Sequence, residues 1–294
     1  MTKETIRDVI LRASRFLEDK GIRHPRLNAE VLLQHVLGWE KYQLLAEMHM
    51  EFPEESRETY ERLIKRRGSH EPLQYIVGHQ EFFGRDFIVR KGVLIPRPET
   101  EILVEEVCKR KEMFTGHPVI VDVGTGSGAI AVTLALEWPE AKVLAIDLSK
   151  DALLVAQENA ARLRASVSFL QGNLLEPILR KGQRVDVLVS NPPYIPSEDV
   201  QHLDEEVRCY EPLLALDGGE DGLSPYRMMV TQLPLVMREE GPALVAFEVG
   251  IHQAEAVARL IEQGWPPAKT TIIPDWQGIG RVVIGWRESI NWFC

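Results

Sequence analysis

Apolar and polar positions recur along this chain with two different periods, and the change between them divides it. Over residues 3–67 the period is helical: Ile6, Val9, Ile10, Ala13, Phe16 and Leu17 fall on one helix face. Gly21 ends that pattern and Pro25 opens the next, whose apolar face is Ala29, Leu32, Leu33, Val36 and Leu37, with Gly38 as its stop. A short helix is predicted over 42–48. A charged one follows from Pro53 to Gly68, burying Tyr60, Leu63 and Ile64. Its last turn holds Lys65, Arg66 and Arg67, either cations answering the negative helix end or a patch for a partner. Over 74–95, aromatic and branched residues cluster around Gly78, Gly84 and Gly92, the pattern of a β-hairpin. Pro96 and Pro98 then fix an extended approach to a helix with Glu99 and Glu101 in its first turn, running to about Phe114.

Beyond Val119 short apolar runs alternate with helical stretches. Strands are predicted at 119–123, 142–147, 166–170, 185–190, 242–249, 268–273 and 280–287, and helices at 127–137, 149–163, 224–239 and 252–263. Such alternation implies an α/β domain, a mostly parallel sheet with helices on both faces. The last two strands are joined by 274–279, too short for a parallel crossover, so that pair is expected to be antiparallel. Residues 195–223 form a long acidic connection punctuated by Pro and Gly, a kind of loop that is usually functional or mobile.

Two strand ends carry candidate chemistry. The first reads Val121-Asp122-Val123-Gly124-Thr125-Gly126-Ser127-Gly128 and leads straight into a helix. Its glycines permit a sharp turn and a ligand's close approach to main-chain N–H groups. The spacing is G-x-G-x-G, not the G-x-G-x-x-G of nicotinamide folds, so a dehydrogenase is disfavoured. Asp122 either contacts that ligand or caps the turn. Asp147, ending the next strand, is placed to take both hydroxyls of a ribose or to cap the helix behind it, with Leu148 beside it. Asn173 and Leu174 follow the third strand, where a side-chain amide can read an adenine edge or simply make a turn.

The second strand end is Asn191-Pro192-Pro193-Tyr194. Two prolines remove two N–H donors and keep the backbone extended, leaving carbonyls free to accept. The Asn191 side-chain oxygen accepts too. Such a pair of acceptors suits the two hydrogens of a planar –NH₂ group, with Tyr194 as an aromatic wall. The plainer alternative is a strand terminator. Ligands in open α/β sheets sit at the carboxyl ends of strands, so the two strand ends are expected to share one crevice.

Composition narrows the classes. The chain has 294 residues, 45% hydrophobic and 27% charged, with a formal net charge of −10. That acidity argues against avid non-specific nucleic-acid binding, and so against an adenine-N6 methyltransferase of DNA or RNA, which would share the Asn-Pro-Pro-Tyr motif. A non-enzymatic binding module is the remaining rival. Three scattered cysteines, Cys108, Cys209 and Cys294, suit reduced thiols in a cytoplasmic protein, and the eight histidines lack metal-ligand spacing. No apolar run is long enough to span a membrane, and residues 1–10 lack the apolar core of a signal peptide.

Together, residues 124–128, Asp147 and Asn191-Pro192-Pro193-Tyr194 resemble a class I S-adenosylmethionine-dependent methyltransferase acting on planar nitrogen. Further stretches narrow the resemblance: Pro72-Leu73-Gln74-Tyr75-Ile76-Val77-Gly78, Leu94-Ile95-Pro96-Arg97-Pro98-Glu99-Thr100-Glu101, Glu211-Pro212 through Asp221-Gly222-Leu223, and Phe247-Glu248-Val249-Gly250. These are similar to the HemK/PrmC family, the N5-glutamine methyltransferases of peptide-chain release factors. The resemblance implies a five-helix N-terminal domain for substrate recognition (1–72), a β-hairpin linker (73–95) and a catalytic domain with a seven-stranded sheet (96–294). It implies S-adenosylmethionine as cofactor, held by Asp122, Gly124, Thr125, Gly126, Ser127, Gly128, Asp147, Leu148, Asn173, Leu174 and Asn191. It implies as substrate the glutamine of the Gly-Gly-Gln loop of class I release factors, gripped by Asn191, Pro192, Pro193 and Tyr194. Where many relatives have an acid followed by an aromatic, this chain has Asn173-Leu174. The enzyme is expected to be a cytoplasmic monomer.

Overall fold

The computed structural model describes residues 4–266 and 268–288. Its elements in chain order are α1 (Ile6–Asp19), α2 (Pro25–Leu37), α3 (Lys41–Ala46), α4 (Glu54–Gly68), α5 (Leu73–Val77), β1 (His79–Phe82), β2 (Arg85–Ile88), α6 (Pro98–Cys108) and β3 (Val119–Val123). They continue with α7 (Ala129–Glu137), β4 (Lys142–Asp147), α8 (Lys150–Leu163), β5 (Val167–Gln171), α9 (Glu176–Lys181), β6 (Val187–Ser190) and α10 (Glu205–Tyr210). The last are α11 (Ser224–Val236), β7 (Ala243–Glu248), α12 (Ala254–Gly264), β8 (Lys269–Pro274) and β9 (Gly280–Arg287). They form two compact units: Met1–His79 with Asp204–Tyr210, and Gln80–Leu203 with Glu211–Cys294.

The first unit is helical. Thr5 and Asp8 make a reciprocal capping box at the start of α1, and Ile6, Val9, Ile10, Ala13 and Leu17 are buried along one face. The main surprise is α5. The branched and aromatic residues of 73–77 suggest a strand, yet Leu73, Ile76 and Val77 lie at i, i+3 and i+4 and pack on the helical core. Pro72 precedes this turn and Gly78, at φ 85°, ends it in the left-handed region. The hairpin therefore starts at β1 rather than at Gln74. The returning segment α10 belongs to this unit. Arg67, 5% exposed, donates to Asn28 Oδ1 at 2.7 Å and to Glu206 Oε2 at 2.7 Å, and the Tyr210 hydroxyl donates to the Ser69 carbonyl at 2.6 Å.

The second unit is the α/β domain. Its sheet runs β5-β4-β3-β6-β7-β9-β8, parallel except for β9, which is antiparallel to both β7 and β8. Period-2 alternation sorts the strand residues between two cores. Val121, Val123, Leu188, Val245 and Phe247 pack with α11 and α12. Ile120, Val187, Val189, Leu244 and Ala246 pack with α6, α7 and the hairpin phenylalanines Phe82 and Phe87. Both faces are thus covered, as a parallel sheet requires.

Departures from the sequence reading are local. The helix expected at 224–239 stops at Val236, because Met237 turns extended and runs beside Val185. Helix α9 has six residues, too few to show a period. Cys108 and Cys209 are free thiols, and Cys294 lies outside the described residues.

Candidate active site

Parallel pairing of β3 with β6 sets Val123 opposite Ser190, so Gly124 and Asn191 leave the sheet side by side. The Ser190 hydroxyl donates to the Val123 carbonyl at 2.6 Å and ties the two ends together. The sheet order reverses direction here, with β4 and β5 on one side and β7 on the other, which opens a crevice. A cavity of about 440 Å³ occupies it. Gly124, Gly126, Asp147, Leu148, Asn173, Leu174, Asn191 and Pro193 line the cavity, so eight of the expected site residues meet there. Asp122, Thr125, Ser127, Gly128, Pro192 and Tyr194 do not line it, and the first four are the frame behind the turn.

Four N–H groups of the glycine turn are engaged within the protein. Gly124 and Thr125 both donate to the Ile146 carbonyl (2.8 and 3.0 Å), Gly128 donates to Thr125, and Gly126 donates to Asp147 Oδ2 at 2.9 Å. What the glycines supply is room. A Cβ on Gly124 or Gly126, at φ 74° and 56°, would meet nothing within 4 Å and would project into open space. Gly128 serves packing instead. At φ 83° its Cβ would sit 3.0 Å from that of Ala156, so its absence lets α7 and α8 close up. Asp122 is fully buried. Its Oδ2 accepts from the Thr125 hydroxyl at 2.6 Å and the Ala131 N–H at 3.2 Å, which clamps the turn to the start of α7. Burial pushes its carboxyl up to about 7 against those two bonds. Asn159 on α8 completes the frame, donating to the Ser127 and Ile88 carbonyls and accepting from the Ile88 N–H.

Asp147 is 9% exposed and lines the cavity. Its two oxygens accept from the Gly126 and Ser149 N–H groups, which hold the carboxylate still and leave further lone pairs for hydroxyls. Burial raises its pKa, and the backbone bonds act the other way. Leu148, 49% exposed at the rim, gives an apolar face. Leu174 holds φ 47°, a left-handed conformation uncommon for leucine, at the cavity wall.

On the other side, the Asn191 Nδ2 group donates to the Thr100 hydroxyl at 3.1 Å. Sequence reasoning does not single out Thr100, yet it explains part of the 95–101 stretch. Three residues there fasten different pieces: Arg97 binds Glu211 at 2.5 Å, Thr100 holds Asn191, and Glu101 accepts the Phe83 N–H of the hairpin at 2.8 Å. Glu248 ends β7 one step past the Ser190–Phe247 pair, and so stands beside Asn191; burial pushes its carboxyl up to about 7, and the Thr100 and Asn191 side chains pull it down. The 211–223 part of the long connection packs on the motif through glycines. A Cβ on Gly218 would lie 2.8 Å from the Pro193 carbonyl oxygen, and one on Gly222 2.2 Å from that of Tyr194. Ile195 bonds both ways along this seam: its N–H donates to the Leu216 carbonyl, and its carbonyl accepts from the Gly218 N–H. Tyr194 is half-buried, with its hydroxyl pushed up to about 12, chiefly by burial.

The sheet order, the glycine turn ending its central strand and the buried acid ending the next define a class I methyltransferase. A crystal structure of a methyltransferase from Pyrococcus furiosus shares the fold, with a TM-score of 0.51 and 16% identity over 70% of this chain and 91% of that one. Residues 8–78 match the PrmC N-terminal domain and residues 98–206 the methyltransferase small domain. The release factor glutamine methyltransferases of Bacillus cereus and Bacillus subtilis are each 42% identical, across 94% and 95% of this chain and 97% of their own lengths. That of Geobacter sulfurreducens is 42% identical across 96% of both chains. The chain belongs to the release factor glutamine methyltransferase family.

Proposed function

We propose that this protein transfers a methyl group from S-adenosylmethionine to the side-chain amide nitrogen of the glutamine in the Gly-Gly-Gln loop of class I peptide-chain release factors. The observation that carries the reading is Asn191 on the cavity wall, its –NH₂ turned away to Thr100 and its oxygen left for an acceptor. The cavity suits the cofactor. Its volume lies in the range of small-molecule pockets, the bare glycines leave space, and Asp147 presents fixed lone pairs beside apolar Leu148. Bound S-adenosylmethionine supplies an electrophilic methyl on a sulfonium.

The rest falls to the chain. An amide nitrogen is a poor nucleophile, because its lone pair is shared with the carbonyl. Asn191 Oδ1 and the Pro192 carbonyl accepting its two hydrogens would localise that pair and aim it. Among the described residues, the ionisable groups lining the cavity are Asp147 and Asp217, both carboxylates held by internal donors. A carboxylate is a weak base, so no lining side chain is a strong one, and the proton leaves to water after transfer. Catalysis rests on positioning and fixed dipoles, worth roughly 7–11 kcal/mol when the geometry is near that of attack.

The first unit would recognise the protein substrate. An open groove there, lined by Arg62, Lys65, Arg66 and Tyr210 together with Glu58, Glu61 and Glu71, supports that role. Arg62→Glu with Lys65→Glu should raise KM for the release factor and leave cofactor binding alone; unchanged KM removes the groove from recognition. A release-factor substrate supports action where translation takes place, in the cytoplasm. An adenine-N6 reading shares the Asn-Pro-Pro-Tyr motif and has no other observation in its favour. The deciding assay offers labelled S-adenosylmethionine to a purified class I release factor and to its Gly-Gly-Gln→Gly-Gly-Ala variant. Label on the first alone is expected. Label on both moves the acceptor elsewhere, and label on neither refutes the reading.

A further inference from the structure

Glu248 has no part in the mechanism above, yet its surroundings are unusual. It is 2% exposed, and its Oε2 has no hydrogen-bond partner among the described residues. Burying a carboxylate with an oxygen unpaired costs stability, so packing alone is a poor reason for it. Its position is also well determined. Leu244 and Ala246 face α6, so the next residue in that alternation reaches the first turn of α6, where Thr100 stands. The Tyr226 hydroxyl holds the Glu248 carbonyl at 2.7 Å, and Tyr226 packs edge-on against Phe247.

We propose that Glu248, acting with Thr100, is a positioning residue that locks the Asn191 amide in one of its two orientations, oxygen toward the acceptor. The inference rests on the reading of Asn191 as the acceptor-binding side chain. Proton counting carries it. Above about pH 7, where the lock is to be tested, Glu248 is ionised and only accepts, and a threonine hydroxyl has one hydrogen. Glu248 follows the Ser190–Phe247 pair, beside Asn191 and on the α6 side of the sheet, so Thr100 would give its hydrogen to that carboxylate and meet Asn191 with a lone pair. One N–H of Asn191 points to Thr100, and the other would be drawn to Glu248. The flipped amide would set its oxygen against a lone pair and a negative charge, and two N–H groups would lose their acceptors. The carboxylate also draws on the Asn191 N–H, which shifts electron density onto Oδ1 and makes it a better acceptor.

Three variants test this: Glu248→Gln, Thr100→Val and Thr100→Ser. Glutamine can donate where Glu248 only accepts, and valine keeps the shape of threonine without its hydroxyl. Both should lower kcat by about 10²-fold, the scale of a small misplacement of a reacting group. The dissociation constant for S-adenosylmethionine should not change, Thr100→Ser should stay near wild type, and Glu248→Gln should melt no lower than wild type. Wild-type kcat in Glu248→Gln or Thr100→Val overturns the proposal, as does a loss of activity that merely follows a fall in melting temperature. A second readout needs no acceptor. The Asn191 side-chain N–H resonances, identified by their absence in Asn191→Ala, should exchange slowly in wild type and Thr100→Ser and fast in Thr100→Val. Equal exchange in all three overturns the lock. If wild type fails to methylate the release factor, the proposed substrate falls, and the exchange measurement still decides the role of Glu248.

Discussion

The two strand ends that form the cavity are built by opposite means. At the end of β3, main chain sets the geometry: the N–H groups of Gly124, Thr125, Gly126 and Gly128 are satisfied within the turn or by β4, and missing Cβ atoms make the space. At the end of β6 two prolines remove main-chain donors, and side chains take over: Thr100, Asn191 and Glu248, from three separate parts of the chain. A backbone-built half is robust to most side-chain changes and intolerant of a Cβ. A half built from polar side chains can be silenced by a few atoms while the fold stands. The first suits a ligand that must only be held, and the second a group that must be aimed.

Substitutions at each half should therefore separate binding from turnover. The largest expected effect is that of Asn191→Ala. It should lower single-turnover transfer by at least about 10³-fold, the scale of losing a group that stabilises the transition state. Titration calorimetry should find cofactor affinity nearly intact, and wild-type-like turnover would end the mechanism. Asp147→Ala should do the converse. Losing a charge-assisted hydrogen bond of about 1.5–3 kcal/mol weakens cofactor binding roughly 10- to 100-fold, while kcat recovers at saturating cofactor. An unchanged dissociation constant would take Asp147 out of the cofactor site.

Gly222→Ala tests the seam. The new Cβ would collide with the Tyr194 carbonyl at φ 74°, strain on the order of 1–3 kcal/mol. The variant should lose stability and lower kcat about tenfold, with cofactor affinity spared. Equal damage to cofactor binding would mean that the seam supports both halves alike.

The smallest effect concerns pH. Each half hides one acid, Asp122 and Glu248, and burial pushes both up to about 7, well above an ordinary carboxyl. Below about pH 4 both are protonated whether the chain is folded or not, and neither costs anything. As pH rises toward 7, the unfolded chain ionises freely while the folded one resists, so their contribution to stability declines and then levels off. Asp122→Asn and Glu248→Gln should each flatten part of that decline in a melting series from pH 4 to 8. Curves parallel to wild type would mean that these acids are not protonated in the folded protein.

The same contrast separates what is legible in the sequence from what is not. The mostly parallel sheet, the antiparallel final pair and the glycine turn follow from local patterns, since each is written in a short run of residues; the strand order is not. Asp122 is legible only as a choice between ligand contact and turn clamp. The fold takes the clamp, because the residue points into the α7 face two positions before the turn. Helix α5 reads as a strand, because one turn of helix and a short strand share the same branched residues. Thr100 and Glu248 cannot be derived, for neither has a local signal. Their meaning comes from pairing across the sheet, which brings positions far apart in sequence within bonding reach. The resemblance carried by 95–101 and 247–250 is the one hint the chain offers of them.

The helical unit also has an order of assembly. Its buried Arg67 is neutralised by Glu206, and Tyr210 closes on Ser69, yet these partners come long after the helices they complete. On the ribosome, α1 to α5 emerge with a guanidinium still waiting for its carboxylate. The unit is completed only when residue 210 has emerged, after β3 to β6. The N-terminal helices are therefore not a detachable cassette: a fragment ending at His79 should be less stable than the same helices in the whole protein, and grafting them elsewhere calls for a substitute for α10.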